Sequence, residues 1–263
     1  MDVRKPRRTN SDGIGAAFGP NWGPSSGPPI EEGKKIRSRA VLRILLRLAI
    51  RIGGAIVALW LALLFLYRWV DPPLTPLMLL RYPEVGHIDR QWMPLSAISR
   101  ELQHAVIASE DNRFCSHHGI DWDAVSEAVD EYNSDGRLRG ASTITMQVAR
   151  NLFLWPGGGF IRKGIEAPLA LAIDAVWPKR RILEIYLNIA EWGDGLYGAE
   201  AASHAYFHIH AAQLTRHDAG LLAAVLPNPR RWSPAHPTRY IADRATNIAA
   251  RIDKLEGYFD CLR

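Results

Sequence analysis

Residues 107–121 read Ile-Ala-Ser-Glu-Asp-Asn-Arg-Phe-Cys-Ser-His-His-Gly-Ile-Asp, and here an apolar helical run ends in two adjacent carboxylates. Leu102, Ala105, Val106 and Ala108 are spaced to pack one side of a short helix. That packing brings Glu110 and Asp111 out where helix meets loop, with Phe114 as a partial shield. Burial against an aromatic raises a carboxylate's pKa, and a proton acceptor is most useful when its pKa lies near the working pH. Taken alone, the pair also fits a solvated acidic loop, so its meaning depends on the rest of the chain.

Working outward, the spacing stays helical and almost no alternating strand pattern appears. Trp122, Val125, Val129 and Tyr132 fall on one helical face, and Ile182, Ile185, Tyr186 and Ile189 on another. Thr215 with Asp218 resembles a capping box opening a helix over 219–226, which Pro227 and Pro229 stop. The fold class is mainly α, with internal loops at 132–140 and 155–159 and no repeat of fixed period.

The chain has 263 residues, 48% of them apolar, enough for one medium domain with appendages. Its net charge of +5 is uneven: residues 1–51 hold eleven Lys or Arg against four acids, which leaves the remainder slightly acidic. A basic face for nucleic acid on the main domain is therefore not expected. Residues 1–39 mix Arg, Lys, Ser, Gly and Pro, and are expected to form a basic disordered tail. From Ala40, Arg43, Arg47 and Arg51 punctuate apolar residues, and an uncharged run follows over 52–67. That run covers about 24 Å as a helix, and Arg51 and Arg68 can snorkel at its ends to complete a bilayer span of roughly 30 Å. We read 40–70 as a transmembrane anchor with its span at about 50–70. The cations before it favour the cytoplasmic side, so residues 71–263 belong outside. A cleaved signal peptide fits less well, because the preceding tail is long and no small-residue cleavage site follows Tyr67. The two cysteines, Cys115 and Cys261, imply no disulfide framework, and the sequence leaves their pairing open.

Residues 140–151 read Gly-Ala-Ser-Thr-Ile-Thr-Met-Gln-Val-Ala-Arg-Asn. Ser142 or Thr143 suits a helix cap. Alternatively, the helix amino terminus offers free N–H groups to an anion, with Gln147 and Arg150 one and two turns further along. Arg162, Lys163 and Glu166 gather two cations and a carboxylate at adjacent helical positions, which taken alone suits a solvated salt-bridge face. His204 and His208 have the i, i+4 spacing of metal ligands, with His210 close. No acidic or cysteine partner is evident nearby, so no protein-bound metal is expected. His117 and His118 are expected to stabilise the acidic edge by hydrogen bonds.

Five blocks in order resemble the peptidoglycan glycosyltransferases, in particular their monofunctional membrane-anchored members, over roughly 102–229. They are 110–119, 140–147, Arg162-Lys-Gly-Ile-Glu166, the run Lys179-Arg-Arg-Ile-Leu-Glu-Ile-Tyr-Leu-Asn188, and Leu221-Leu-Ala-Ala-Val-Leu-Pro-Asn-Pro229. The resemblance implies a lysozyme-like helical head lobe and a smaller membrane-proximal jaw lobe, preceded by one transmembrane helix. Residues 71–100 would be linker and jaw entry and 101–263 the catalytic domain. It implies polymerisation of lipid II into β-1,4-linked glycan strands in the bacterial inner membrane, with the catalytic domain periplasmic. The partners would be lipid II, the growing glycan, membrane lipid and other cell-wall synthesis proteins.

By the same resemblance Glu110 is the general base, taking a proton from the acceptor's 4-hydroxyl as it displaces undecaprenyl pyrophosphate with inversion. Glu166 is the second catalytic glutamate, which either orients cations or holds a divalent ion, Mg or Mn; no tightly bound cofactor is implied. Arg150, Arg162 and Lys163 would stabilise the leaving pyrophosphate. Asp111, Phe114, Ser142, Thr143, Gln147, Glu184 and Asn188 complete the expected substrate-binding set, although Glu184 and Asn188 equally suit bracing the cleft from behind. Three positions depart from the family pattern: Met146 replaces a glutamine, Arg150 a lysine, and Gly158 an arginine. A lytic transglycosylase or lysozyme-like hydrolase would not need the 140–147 and 162–166 blocks, and a non-catalytic membrane-tethered scaffold would not need the carboxylates and cations together. No attached transpeptidase is expected, since Ser-x-x-Lys and Lys-Thr-Gly motifs are missing. Residues 151–161, carrying Leu152, Phe153, Leu154, Trp155 and Phe160, are expected to dip into the bilayer.

Overall fold

The computed structural model describes residues 30–136 and 140–262, and among these there are ten α-helices and one small sheet. Helix α1 runs Ile30–Leu66, and its stretch Val41–Leu66 is long and apolar enough to cross a membrane. The candidate span falls inside the expected anchor 40–70, and one expectation shifts. The helix starts inside the segment read as a disordered tail, because no proline interrupts 30–66 and Pro28-Pro29 stand just before it. The apolar span begins earlier than the uncharged run, taking in the residues around Arg43, Arg47 and Arg51. The rest of the expected tail, 1–29, lies outside the described residues.

Residues 57–263 form one compact unit. Helix α2 (Pro76–Val85) opens on Thr75, whose hydroxyl accepts the Met78 amide at 3.2 Å, with proline in its first turn. The chain then passes through β1 (Asp89–Arg90) and a 3-10 turn (Leu95–Ala97) to α3 (Arg100–Glu110), capped by Ser99. The face expected to pack does so: Leu102, Ala105, Val106 and Ala108 are buried. Helix α4 (Trp122–Asp135) behaves differently. Trp122, Val129 and Tyr132 share a helical face as the spacing predicts, yet all three are exposed, since no element covers that face among the described residues.

The core is built from α5 (Ile144–Phe153), α6 (Gly159–Val176), α7 (Lys179–Ile189), α8 (Ala199–Phe207), α9 (Arg216–Val225) and α10 (Arg239–Lys254). Ile182, Ile185, Tyr186 and Ile189 of α7 are fully buried, as their spacing predicts. The Thr215–Asp218 capping box forms and starts α9 at Arg216. Helix α9 packs against both α3 and α10, which also touch each other, and near the carboxyl end of α3 the Ser109 hydroxyl donates to the Ala223 carbonyl of α9 at 3.3 Å. A three-stranded sheet went unforeseen: β1 pairs parallel with β3 (Leu196–Tyr197), which pairs antiparallel with β2 (Glu191–Gly193). Strands of two or three residues are too short to display an alternating pattern.

Cys115 and Cys261 are joined, their Cα atoms 5.4 Å apart, linking the loop after Glu110 to the carboxyl-terminal 3-10 turn Asp260–Leu262. The loop 111–121 is also held by Gly119, whose φ is +81° and whose Cα hydrogen faces the Ala170 carbonyl so closely that a Cβ would lie 2.6 Å from the oxygen.

Candidate active site

Glu110 is the last residue of α3, partly exposed where the helix stops. Its Oε2 accepts the side-chain amide of Gln147 at 2.9 Å, and Gln147 Oε1 accepts the Tyr186 hydroxyl at 3.2 Å. The tyrosine donor thus fixes which end of the Gln147 amide meets the carboxylate. Burial raises the Glu110 carboxyl above its ordinary range, against the opposing pull of the Gln147 hydrogen bond, Arg244, the Ser109 hydroxyl and Arg150. Tyr186 is pushed far above the ordinary tyrosine range by burial and by the nearby Glu110 charge, so it remains a donor.

Two cavities flank the Glu110–Gln147 pair. One, of about 260 Å³, is lined by Gln147, Arg150, Trp155, Arg162 and Tyr186. The other, of about 290 Å³, is lined by Glu110, Ser142, Arg244 and Arg251 among others. Between α5 and α6 a cation cluster forms: Lys163 Nζ donates to Ser142 Oγ at 2.6 Å and to Glu166 Oε1 at 3.1 Å, while Arg162 pairs with Glu166 Oε2. Glu166 is fully buried with both oxygens taken by cations. A divalent ion there would have to displace one cation and sit beside the other, so this donor set does not fit a resident metal. Arg150 lines the first cavity, its Nε 3.3 Å from Asn151 Oδ1.

Five residues of the expected substrate-binding set are engaged within the protein, although Asp111 and Thr143 also line the second cavity. Asp111 has a buried side chain that accepts from His117 at 2.9 Å and from the Ile144 amide at 2.9 Å, tying the loop to the start of α5. Phe114 is wholly buried, with Lys179 Nζ 4.8 Å from its ring centroid, so it packs and does not shield Glu110 from a ligand. Thr143 is the α5 cap: its hydroxyl accepts the Met146 amide at 3.1 Å and donates to the Gly119 carbonyl at 2.6 Å. Glu184 accepts the Leu95 amide at 2.8 Å, and Asn188 bonds both the amide and the carbonyl of Met93 at 2.8 Å. These last two brace the segment before α3 from behind.

His117 supports the acidic edge as expected, whereas His118 faces Asp174 at 3.4 Å. The arginine missing at 158 has a local cause. Gly158 caps α6 with φ +82°, and a Cβ there would stand 2.9 Å from both Arg162 Cβ and Trp155 Nε1. Leu152, Phe153 and Leu154 are core, which contradicts their expected part in a bilayer-dipping stretch; Trp155 and Ile161 of that stretch are exposed, and the Phe160 side chain lies outside the described residues. The expectation that the histidine cluster lacks an acidic partner is overturned: Glu200 Oε1 accepts from His204 at 3.1 Å and His210 at 2.7 Å, while His208 is not in the group. Burial alone would raise the Glu200 carboxyl, but donors from His210, the Ala211 amide and His204 hold it below the ordinary range.

Sequence reasoning missed Tyr186 as the anchor of Gln147, reading it only as core. It also missed Arg244 and Arg251, which bond Ser109 Oγ at 3.2 Å and the Ala108 carbonyl at 2.9 Å. Their signal was present in the apolar face of α10, which buries Ile241, Ala245, Ile248 and Ile252 and leaves the arginines at its margin.

Glu110, its carboxyl raised by burial, adjoins two cavities lined by Arg150, Arg162, Arg244 and Arg251, in a helical unit that follows an apolar helix. Residues 80–253 match the Transglycosylase family, and the chain belongs to that family. It is 55% identical over 223 residues to a biosynthetic peptidoglycan transglycosylase of Rhodospirillum centenum, covering 84% of this chain and 96% of the relative. Proteins of the same description from Caulobacter vibrioides and Stutzerimonas stutzeri are 41% identical over 226 residues and 46% over 208; the alignments cover 85% and 77% of this chain and 99% and 86% of the relatives.

Proposed function

We propose that this peptidoglycan glycosyltransferase polymerises lipid II by inverting displacement, with Glu110 as general base. The observation that carries the assignment is the carboxylate raised by burial and held by Gln147, at the border of two cavities, one of them lined by Arg150 and Arg162. Glu110 takes the proton of the acceptor N-acetylglucosamine 4-hydroxyl as that oxygen bonds to the anomeric carbon of the donor's terminal N-acetylmuramic acid. The bond from that carbon to the pyrophosphate oxygen breaks on the opposite face. The departing electron pair stays on undecaprenyl pyrophosphate.

Leaving-group charge falls to Arg150, Arg162 and Lys163, prepositioned cations whose worth is greatest in the transition state. Glu166 is a positioning residue that keeps Arg162 and Lys163 apart and aimed, and Ser142 holds Lys163 from the other side. Tyr186 and Gln147 position the base. In the membrane, α1 anchors the chain with its amino terminus cytoplasmic and the catalytic unit outside, consistent with the cations at and before its apolar stretch. Trp155 and Ile161 rest at headgroup level beside the leaving-group cavity, where a lipid-linked pyrophosphate enters.

The test is to give the purified chain lipid II and, separately, finished peptidoglycan. Glycan strands and undecaprenyl pyrophosphate from lipid II alone support the reading. Cleavage of finished strands without polymer would assign a lytic enzyme, and inertness to both a scaffold.

A further inference from the structure

One side-chain cluster lies outside the site described above. Glu200 in the first turn of α8, His204 one turn later, and His210 at the start of the 3-10 turn Ala211–Gln213 each offer one donor atom, all within 4.8 Å of one another. The backbone geometry that assembles them is specific. His208 ends α8 in the left-handed region with φ 59°, the sole described non-glycine residue there, and the chain turns back so that His210 comes beside His204 and Glu200. The two imidazoles meet edge to face, their centroids 4.7 Å apart.

We propose that Glu200, His204 and His210 form a Zn²⁺ site with solvent as the fourth ligand. Tetrahedral ligands at roughly 2.0–2.1 Å from zinc stand about 3.3 Å from one another. Glu200 Oε1 is 3.1 Å from His204 Nε2 and 2.7 Å from His210 Nδ1, and all three donor atoms lie within 4.8 Å of one another, so adjustment of the two exposed rings brings the set to that spacing. The carboxylate is held for the task. Its Oε2 accepts the Ala211 amide at 2.7 Å, leaving Oε1 turned to both rings, the kind of outer hydrogen bond that orients a metal-ligating carboxylate. Glu200 is buried while the histidine side chains are 44% and 63% exposed, so ion and water reach the open side directly. Oxygen and imidazole donors with an open position suit zinc better than magnesium or calcium, which prefer oxygen ligands throughout.

The site would act as a clamp. The Ala211 carbonyl accepts the Ser99 amide at 3.0 Å, and Ser99 caps α3, the helix that ends in Glu110. Zinc therefore fastens α8 to the turn that seats the amino end of the base-bearing helix. This inference stands independently of the lipid II reading.

The test uses the full chain in detergent, stripped with a chelator and titrated with Zn²⁺ alone, read by calorimetry, by metal content after gel filtration and by thermal unfolding. One ion per chain with a raised unfolding temperature is expected. His204→Ala and His210→Ala should each weaken binding about tenfold or more, whereas His87→Ala should not. Co²⁺ in place of Zn²⁺ should give the visible bands of a four-coordinate site, lost in His210→Ala. Both ligand histidines are surface residues, and the unfolding temperature of each variant without metal reports its fold. Should either variant unfold, His204→Gln and His210→Gln replace them. No saturable binding, or binding unchanged in the His204 and His210 variants, overturns the proposal.

Discussion

Breaking the Cys115–Cys261 bridge should cost the catalytic unit much of its stability. The crosslink spans 146 residues of sequence, from the loop beside Glu110 to the last turn of the chain. The chain-entropy relation for a closed loop of that length gives a ceiling of ~5 kcal/mol at room temperature, and strain or residual denatured structure brings typical values to 2–4 kcal/mol. For a unit of this size each kcal/mol shifts the unfolding midpoint by about 2–4 °C, so Cys115→Ser with Cys261→Ser should lower it by about 5–15 °C. The single variants should match the double one, since either removes the same bond. The assay is thermal and urea unfolding of the full chain in detergent, with and without reductant. Reductant should lower the wild-type midpoint and leave the double variant unmoved. Identical midpoints for oxidised, reduced and double-variant protein would refute the argument, as would a free-thiol assay that finds both cysteines reactive in the folded oxidised chain.

Gln147→Leu removes a donor that favours the charged form of Glu110, so the acidic limb of the pH–rate profile should move to higher pH; Tyr186→Phe should move it the same way by less. A limb that stays in place or falls would detach these residues from the base. Because the folded Glu110 carboxyl is raised, the folded state holds its proton more tightly, and this group's contribution to stability falls as pH rises from the unfolded value through the folded one. Glu110→Gln should therefore unfold at a higher temperature than wild type at pH 7 and lose that advantage below about pH 4; a lower midpoint at pH 7 would contradict the burial. Lys163→Ala and Arg150→Ala should each raise the barrier by roughly 2–4 kcal/mol with a smaller effect on lipid II binding, and unchanged turnover with weakened binding would assign them to ground-state grip. A nitroxide on Ile161→Cys in reconstituted bilayers should meet dissolved oxygen more readily than a water-soluble relaxant, unlike one on Asp243→Cys; equal exposure to the aqueous reagent would place Ile161 in solvent.

Much of this was legible in the residues. The apolar faces of α3 and α7 and the Thr215–Asp218 box were readable because packing and capping leave periodic or fixed-offset marks. The catalytic side was legible as blocks, and Glu110, Gln147, Arg162, Lys163 and Glu166 do come together or line adjoining cavities. What failed was the direction of individual side chains. Asp111 follows Glu110 directly yet turns inward to His117 and the Ile144 amide, because the α5 amino terminus needs an acceptor and His117 offers a second donor. Thr143 was likewise taken by the cap its own chemistry favours. Tyr186 carried two signals, core spacing and a hydroxyl, and only the first was read. The Glu200 partner of the histidines sits four residues before His204, at the standard one-turn offset, and was overlooked because the expected pair was His204 with His208. The α4 face aligns as its spacing predicts yet stays largely exposed, since periodicity reports which residues align and not whether a neighbour covers them.

The base assignment itself is tested most directly by single-turnover polymerisation of lipid II with Glu110→Gln beside wild type, with lipid II binding and thermal unfolding measured on the same samples. The carboxamide keeps the shape and can still meet Gln147, but it cannot take a proton. Loss of polymer and of released undecaprenyl pyrophosphate, with binding and folding retained, is the predicted result. Near-normal turnover by a folded Glu110→Gln chain would contradict it and move the base elsewhere.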